Sequence, residues 1–231
     1  MVTNIIYRNP AVLARQAQTL DHISNGRLEL GIGATSERDP SHHMTGTEVW
    51  STAERIGRYR EMIEILDHML CHETTTYSGK YYRVTDAVIR PSSIQRPRPP
   101  LTIAAAGPGS LKIAAQYADS WNTFGGWGLS PQDNLAITRQ RSDMLDDFCT
   151  KLGRDPGQIR RSFLAGITAD TLFASLDAFY NFIGPLQEIG ISEFIFYYDY
   201  HALPPDKCMD RAMLERIAAE AIPTLRSKIS G

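Results

Sequence analysis

The chain has 231 residues, and its 24 Lys and Arg against 26 Asp and Glu leave a net charge of -2, which gives no basis for nucleic-acid or polyanion binding. With 42% hydrophobic and 22% charged residues it carries enough apolar material for a large core and lies outside the composition of disordered chains. No run approaches the ~18 apolar residues of a membrane span, MVTNIIYRNP lacks the charged start and long apolar stretch of a signal peptide, and Cys71, Cys149 and Cys208 are odd in number and far apart, so a cytoplasmic protein without disulfides is expected.

Residues 2–6 are a short β-prone run, and Asn9-Pro10 opens a helix in which Val12, Leu13, Ala17 and Leu20 recur at helical spacing. Asn25-Gly26 closes it as a left-handed cap, and LELGIG reads as an apolar strand ending in glycine. The polar loop ATSERDPSHHMTGTEVW leads to the helix TAERIGRYREMIEILDHMLC, with Ile56, Tyr59, Met62, Ile63, Leu66 and Leu70 in one stripe. Residues 74–100 are an excursion: a small hairpin turning at Ser78-Gly79, then a proline-rich crossing. The cycle resumes with strand LTIAAAG, helix GSLKIAAQYA, strand DSWNTF, the glycine loop GGWG and a helix of about twenty residues from Ser130. Strand RRSFLAGI, helix TLFASLDAFYNFIGPLQEIG, strand SEFIFYYDY and a helix over residues 205–226 complete the chain. These are six strands, each followed by a helix.

Strict alternation implies parallel strands with right-handed crossovers, hence an eight-fold barrel or a doubly wound sheet. Glycine-bearing loops at successive strand ends, with no GxGxxG opening the first unit, favour the barrel, although the count falls two short of eight.

Three strand ends stand out. Residues 31–37 combine backbone-exposing glycines with Thr35, Ser36 and Glu37. Residues 104–110 are small and lead into a helix N-terminus with free N–H groups. Residues 122–127 run from a strand into a glycine loop suited to phosphate. The plain alternatives are a tight turn for the first and barrel crowding for the second. His42 and His43 offer substrate contacts or are solvated loop residues; His68 and His72 have an i, i+4 spacing but no third ligand, so no metal site is assigned. Tyr197, Tyr198 and Tyr200 either line a pocket mouth or pack between strand and helix. Neither a Ser-His-Asp order, a CxxC pair, a Walker loop nor a paired-carboxylate motif is found.

The segments RNPAVLARQAQTLDHISNGRLELGIGATSE, RIGRYREMIEIL, YSGKYYRV and PRPPLTIAAAGPGSLKIAAQYADSWNT, in this order and spacing, resemble the luciferase-like monooxygenase superfamily, in particular its coenzyme F420-dependent oxidoreductases. The resemblance implies a TIM (β/α)8-type barrel, a single domain over residues 1–231 that begins at the third βα unit and lacks the first two. It implies F420, or alternatively FMN, bound at the strand C-terminal ends, a small-molecule substrate, and a homodimer. By the same resemblance Gly33, Thr35 and Glu37 lie beside the ring, Ala105, Ala106, Gly107 and Pro108 contact the ring and its ribityl chain, and Thr123, Gly125 and Gly126 hold the phosphate. A non-prolyl cis peptide would fall at Met1-Val2, placing Val2 against the ring. The catalytic acid or base would lie upstream of Met1 and is unnamed. The expected function is hydride transfer between F420 and a small organic substrate; the alternatives are a monooxygenase using reduced FMN and oxygen, and a non-catalytic flavin-binding partial barrel. Residues 37–50 and the hairpin near Tyr81 would shape the substrate pocket, with His43 as the specific candidate.

Overall fold

Asn9 decides where the first long helix begins: its side chain accepts from the amides of Ala11 and Val12, Pro10 fills the first turn, and α1 (Pro10–Ile23) follows. The chain, seen in a computed structural model, is described at residues 2–165, 172–196 and 211–229. It divides into one unit of Met1–Asn122 with Asp143–Arg160, and a second of Thr123–Ser142 with Arg161–Gly231.

In the first unit, β1 (Thr3–Asn4), β2 (Leu30–Gly33) and two later strands lie parallel in sequence order. The run expected as a strand over residues 2–6 is cut short, because the Asn4 side chain accepts from the Ile6 amide and turns Ile5–Tyr7 into a 3-10 helix. The loop expected over residues 34–50 contains a short helix, α2 (Ser41–Thr45). The long amphipathic helix is found as read, α3 (Thr52–Cys71), capped by the Ser51 hydroxyl on the Glu54 amide. Its apolar stripe is buried, with Tyr59, Met62, Ile63 and Leu66 all at 0% exposure.

The hairpin is also present, as β3 (Thr74–Ser78) and antiparallel β4 (Arg83–Val88). Buried Glu61 on α3 fastens it: the carboxylate accepts from the amides of Lys80, Tyr81 and Tyr82 at 2.8, 2.9 and 3.0 Å. The proline-rich crossing is tied down likewise by buried Asp21, which accepts from the Ile94 and Gln95 amides. It delivers the chain to β5 (Leu101–Ala104), helix α4 (Pro108–Tyr117) and β6 (Ser120–Thr123). The register aligns Ile32 with Ile103 and Ile103 with Trp121, all fully buried, and sets Gly33 beside Ala104 and Ala104 beside Asn122 one step further on. Arg98, paired with Asp67 at 2.7 Å and Asp119 at 2.5 Å, closes the other end of these strands.

Helix α5 (Pro131–Lys151) passes from the second unit into the first. In the second unit β7 (Arg160–Ala165) pairs in parallel with β8 (Glu193–Phe196). Helix α6 (Leu176–Glu188) starts later than the expected residue 171, since the Ser175 hydroxyl takes the Ala178 amide and fixes the first turn. Phe163, Phe179, Phe182 and Phe196 pack as aromatic pairs around it. The C-terminal segment forms α7 (Arg211–Arg216), a π turn and α8 (Ile222–Ile229). No helix among the described residues is long and apolar enough to cross a membrane. Tyr197, Tyr198, Tyr200 and the Met1-Val2 peptide lie outside the described residues.

Candidate functional site

In the first unit, the C-terminal ends of neighbouring β2 and β5 are stitched by a side chain that sequence reasoning counted only as core. The Tyr59 hydroxyl donates to Ile32 O at 2.7 Å and lies 3.1 Å from Ala104 O, so one phenol spans both strand ends from beneath. Burial pushes this phenol well above its ordinary range, keeping it a neutral donor. Trp121 adds a second stitch, Nε1 donating to Ala105 O at 2.9 Å, while the Ala105 amide donates to Asn122 O. Both polar groups of Ala105 are thereby used in the framework. A buried large aromatic with a polar edge is the signal that would have found both, Tyr59 within the stripe of α3 and Trp121 on the strand beside the small residues of β5.

Above these stitches the residues are small and open. A Cβ on Gly33 would stand 2.9 Å from Val2 Cγ2, so Val2 and Gly33 are packed together. At Gly107 a Cβ would meet nothing within 4 Å. Ala106 and Pro108 beside it are exposed. The Ser110 hydroxyl accepts from the amides of Ala106 (3.2 Å) and Gly107 (3.3 Å). The Ala106 and Gly107 amides ahead of α4 are thereby taken up by Ser110.

The loop after β2 carries the sharpest anomaly. Thr35 sits at φ 62°, a left-handed conformation that a β-branched residue adopts at a cost of about 1–3 kcal/mol. Its buried Oγ1 makes no hydrogen bond of good geometry, although it lies close enough to the Asp39 carboxyl to help hold that group ionised. A left-handed backbone at a β-branched residue is unfavourable in itself and marks the loop as a candidate for function. The loop is otherwise firmly set. Burial pushes the Asp39 carboxyl up, but the Ser41 hydroxyl and amide, with Thr35 and His42 nearby, outweigh this and hold it below the ordinary carboxylate range. Asn4 Nδ2 donates to both Asp39 and Ser41, and the Tyr7 hydroxyl donates to Ser41 Oγ at 2.6 Å. Glu37 accepts from Thr52 Oγ1 at 2.9 Å and faces Arg55 at 3.6 Å.

Exposed His43 lines a depression of about 550 Å³ with Glu37, Arg38, Asp39, His42 and Glu48. His42 is the buried member of the pair: its Nδ1 lies 3.1 Å from Glu48 O, its ring meets Trp50 edge-on, and its Nε2 has no partner. The His68 and His72 rings lie 5.6 Å apart, and His72 Nδ1 sits 3.0 Å from His68 O.

In the second unit, Thr123, Gly125 and Gly126 begin a loop folded back on α5. Gly125 has φ 73°, and a Cβ on it would lie 2.2 Å from Asn134 Oδ1, the atom that accepts from the Gly126 amide at 2.9 Å. Only glycine fits there. Arg141, on the same helix, donates to Gly125 O and lies 3.4 Å from Thr123 Oγ1. Sequence reading passed over it because nothing in the spacing of residue 141 announces a link to a loop sixteen positions earlier.

In the first unit the strand ends thus present left-handed Thr35 and clear space over Gly107. In the second, a glycine loop is held by a guanidinium. The sequence profile described as luciferase-like monooxygenase matches residues 1–199. An F420-dependent glucose-6-phosphate dehydrogenase of Kineococcus radiotolerans is 29% identical over 172 residues, 74% of this chain and 48% of that protein. The corresponding protein of Microbacterium testaceum is 32% identical over 63% of this chain and 41% of its own length. This chain therefore spans less than half the length of these curated relatives. Among solved structures, the coenzyme F420-dependent tetrahydromethanopterin reductase from Methanopyrus kandleri superposes with a TM-score of 0.74 at 18% identity, over 96% of this chain and 81% of that one. An F420-dependent secondary alcohol dehydrogenase in complex with an F420–acetone adduct gives 0.69 at 17% identity, over 84% and 71%. The parallel α/β fold is that of the TIM-barrel luciferase-like enzymes.

Proposed function

The chain belongs to the luciferase-like monooxygenase family, and from that premise we propose that it serves an F420-dependent oxidoreductase that moves a hydride between the deazaflavin and a small organic substrate. The observation that carries this reading is Thr35, a β-branched residue held left-handed in the loop after β2, the strand paired with the one that leads to open Gly107. Thr35, Glu37 and Gly33 with Val2 would border the ring on one strand end, and Ala105, Ala106, Gly107 and Pro108 on the next. In the second unit Thr123, Gly125 and Gly126 would face the phosphate.

When bound, the deazaflavin supplies the hydride chemistry through its C5. The chain's own part is positional. Tyr59 and Trp121 lock the strand ends so that the surface above them stays fixed, which is how a protein holds reacting atoms at roughly 3–3.5 Å without spending binding energy on ordering them. The depression beside His43 is the proposed substrate side, with Glu37 and His42 among its lining residues. We place the working species in the cytoplasm as a homodimer, which sedimentation velocity tests.

Titrating the purified protein with F420 and with FMN separately tests the proposal. Saturable F420 binding, with FMN weaker, is expected. Tight FMN binding without F420 affinity would replace it with the monooxygenase reading that uses reduced FMN and oxygen.

A further inference from the structure

Three carboxylates, Glu37, Asp39 and Glu48, border the depression of about 550 Å³ beside His43, and Arg38 is the one arginine among its lining residues. Their charges do not cancel. Glu37 is matched at 3.6 Å by Arg55, which is not part of the lining. Asp39 accepts from Asn4 Nδ2 and from the Ser41 amide, neutral donors that fix the carboxylate without removing its charge. Glu48 is exposed, and among the described residues its carboxylate has no ion pair. With both histidines neutral, Asp39 and Glu48 therefore face Arg38 with an excess of one negative charge.

Hydrogen-bonding capacity leans the same way. His42 lines the depression and is 4% exposed. Its Nδ1 lies 3.1 Å from Glu48 O, an atom that can only accept, so Nδ1 carries the proton of the neutral ring and Nε2 is left as a lone pair. Among the described residues nothing donates to that lone pair. The edge-on contact with Trp50 holds the ring in place. A ligand seated here meets carboxylate and imidazole acceptors, whereas a phosphate or carboxylate, which brings further acceptors and negative charge, finds Arg38 as its one permanent cation.

We propose that this depression takes a cationic, hydroxyl-bearing ligand, an organic ammonium of the amino-alcohol or amino-sugar class, with Glu48 as the residue that sets the preference. An ammonium offers three donors and no acceptor, the complement of the unmatched carboxylates, and a hydroxyl is the neutral donor that an imidazole lone pair accepts. The proposal rests on the reading of this depression as the substrate side. It departs from the phosphorylated sugar that the curated relatives are named for, because a phosphate would stand beside two unmatched carboxylates.

Calorimetric titration of the full chain with 6-amino-6-deoxyglucose, glucose and glucose 6-phosphate tests the proposal, since the three share one ring and differ in the charge at one carbon. Affinity should fall in that order. E48Q should weaken the amino sugar about fivefold, the effect of one charge a few ångströms away in a water-exposed setting, and leave glucose nearly unchanged. E48K should reverse the order of the two charged sugars, and added salt should narrow the gap between them in the wild type. Because Glu48 is exposed, both variants should melt with the wild type. Glucose 6-phosphate as the tightest ligand of the wild type, no amino-sugar binding at millimolar concentration, or amino-sugar affinity unchanged in E48Q overturns the proposal. Titration with F420 separates it from the reading it rests on. F420 binding without any preference for the cation leaves the proposed function and removes the ligand class; Glu48-dependent amino-sugar binding in a protein with no F420 affinity sustains the ligand class and removes the proposed function.

Discussion

Replacing Tyr59 with Phe removes one oxygen and keeps the ring, so its effect isolates the stitch between β2 and β5. The hydroxyl is fully buried and has two carbonyl partners, Ile32 O at 2.7 Å and Ala104 O at 3.1 Å. Deleting a buried donor whose acceptors cannot reach water costs about 1–3 kcal/mol, and at 2–4 °C per kcal/mol for a chain of this size a central loss of ~2 kcal/mol lowers the melting temperature by about 4–8 °C. The alkaline limb gives an independent check. Tyr59 titrates above its unfolded value of 10.0 in the folded protein, so its contribution is present in full below pH 10.0 and is lost as pH rises beyond it, because the unfolded chain then releases a proton the folded chain retains. Tyr117, pushed up to about 12 by burial and by Glu64 and Asp67, shares that direction. Thermal unfolding followed by circular dichroism at neutral pH and above pH 10 should thus show Y59F less stable at neutral pH and less steeply destabilised by alkali. An unchanged midpoint at neutral pH, or alkaline slopes that coincide, would refute the stitch.

Three further substitutions probe the rest of the site. G107A places a methyl group in open space, so stability should change by less than about 1 kcal/mol while F420 affinity falls at least several-fold; equal affinity in calorimetry would exclude this face as the cradle. E61Q should cost about 2 kcal/mol, since a carboxylate that accepts three amides becomes a neutral group offering one carbonyl oxygen, and hydrogen exchange should quicken at Lys80, Tyr81 and Tyr82. G125A forces a Cβ to 2.2 Å from Asn134 Oδ1 at φ 73°, and should lower the melting temperature more than any of the others; a tolerated alanine would mean the loop is not packed on α5 as described.

Most of the framework was legible because it rests on local patterns. Asn9-Pro10 marked the start of α1, the stripe from Ile56 to Leu70 marked α3, and Ser78-Gly79 marked the hairpin turn. The misread ends share one cause. Asn4 and Ser175 each divert the backbone with a side-chain hydrogen bond, a competition that hydrophobic periodicity does not register. The strand-end loops of the candidate site were visible as glycine and small-residue clusters. What holds and charges them was not, since Tyr59 to Ile32, Trp121 to Ala105 and Arg141 to Gly125 are links across 27, 16 and 16 positions. Tyr59 also lay within an apolar stripe, where a core role accounts for it completely and its hydroxyl goes unremarked.

The central claim is that the ends of β2 and β5 form the face on which the deazaflavin lies. Hydrogen–deuterium exchange of the full chain with and without saturating F420 tests it directly. The account predicts slowed exchange in peptides covering residues 33–37 and 105–110, with the hairpin amides of Lys80, Tyr81 and Tyr82 unchanged. Saturable F420 binding that leaves both of those segments exchanging at their free rates would contradict it.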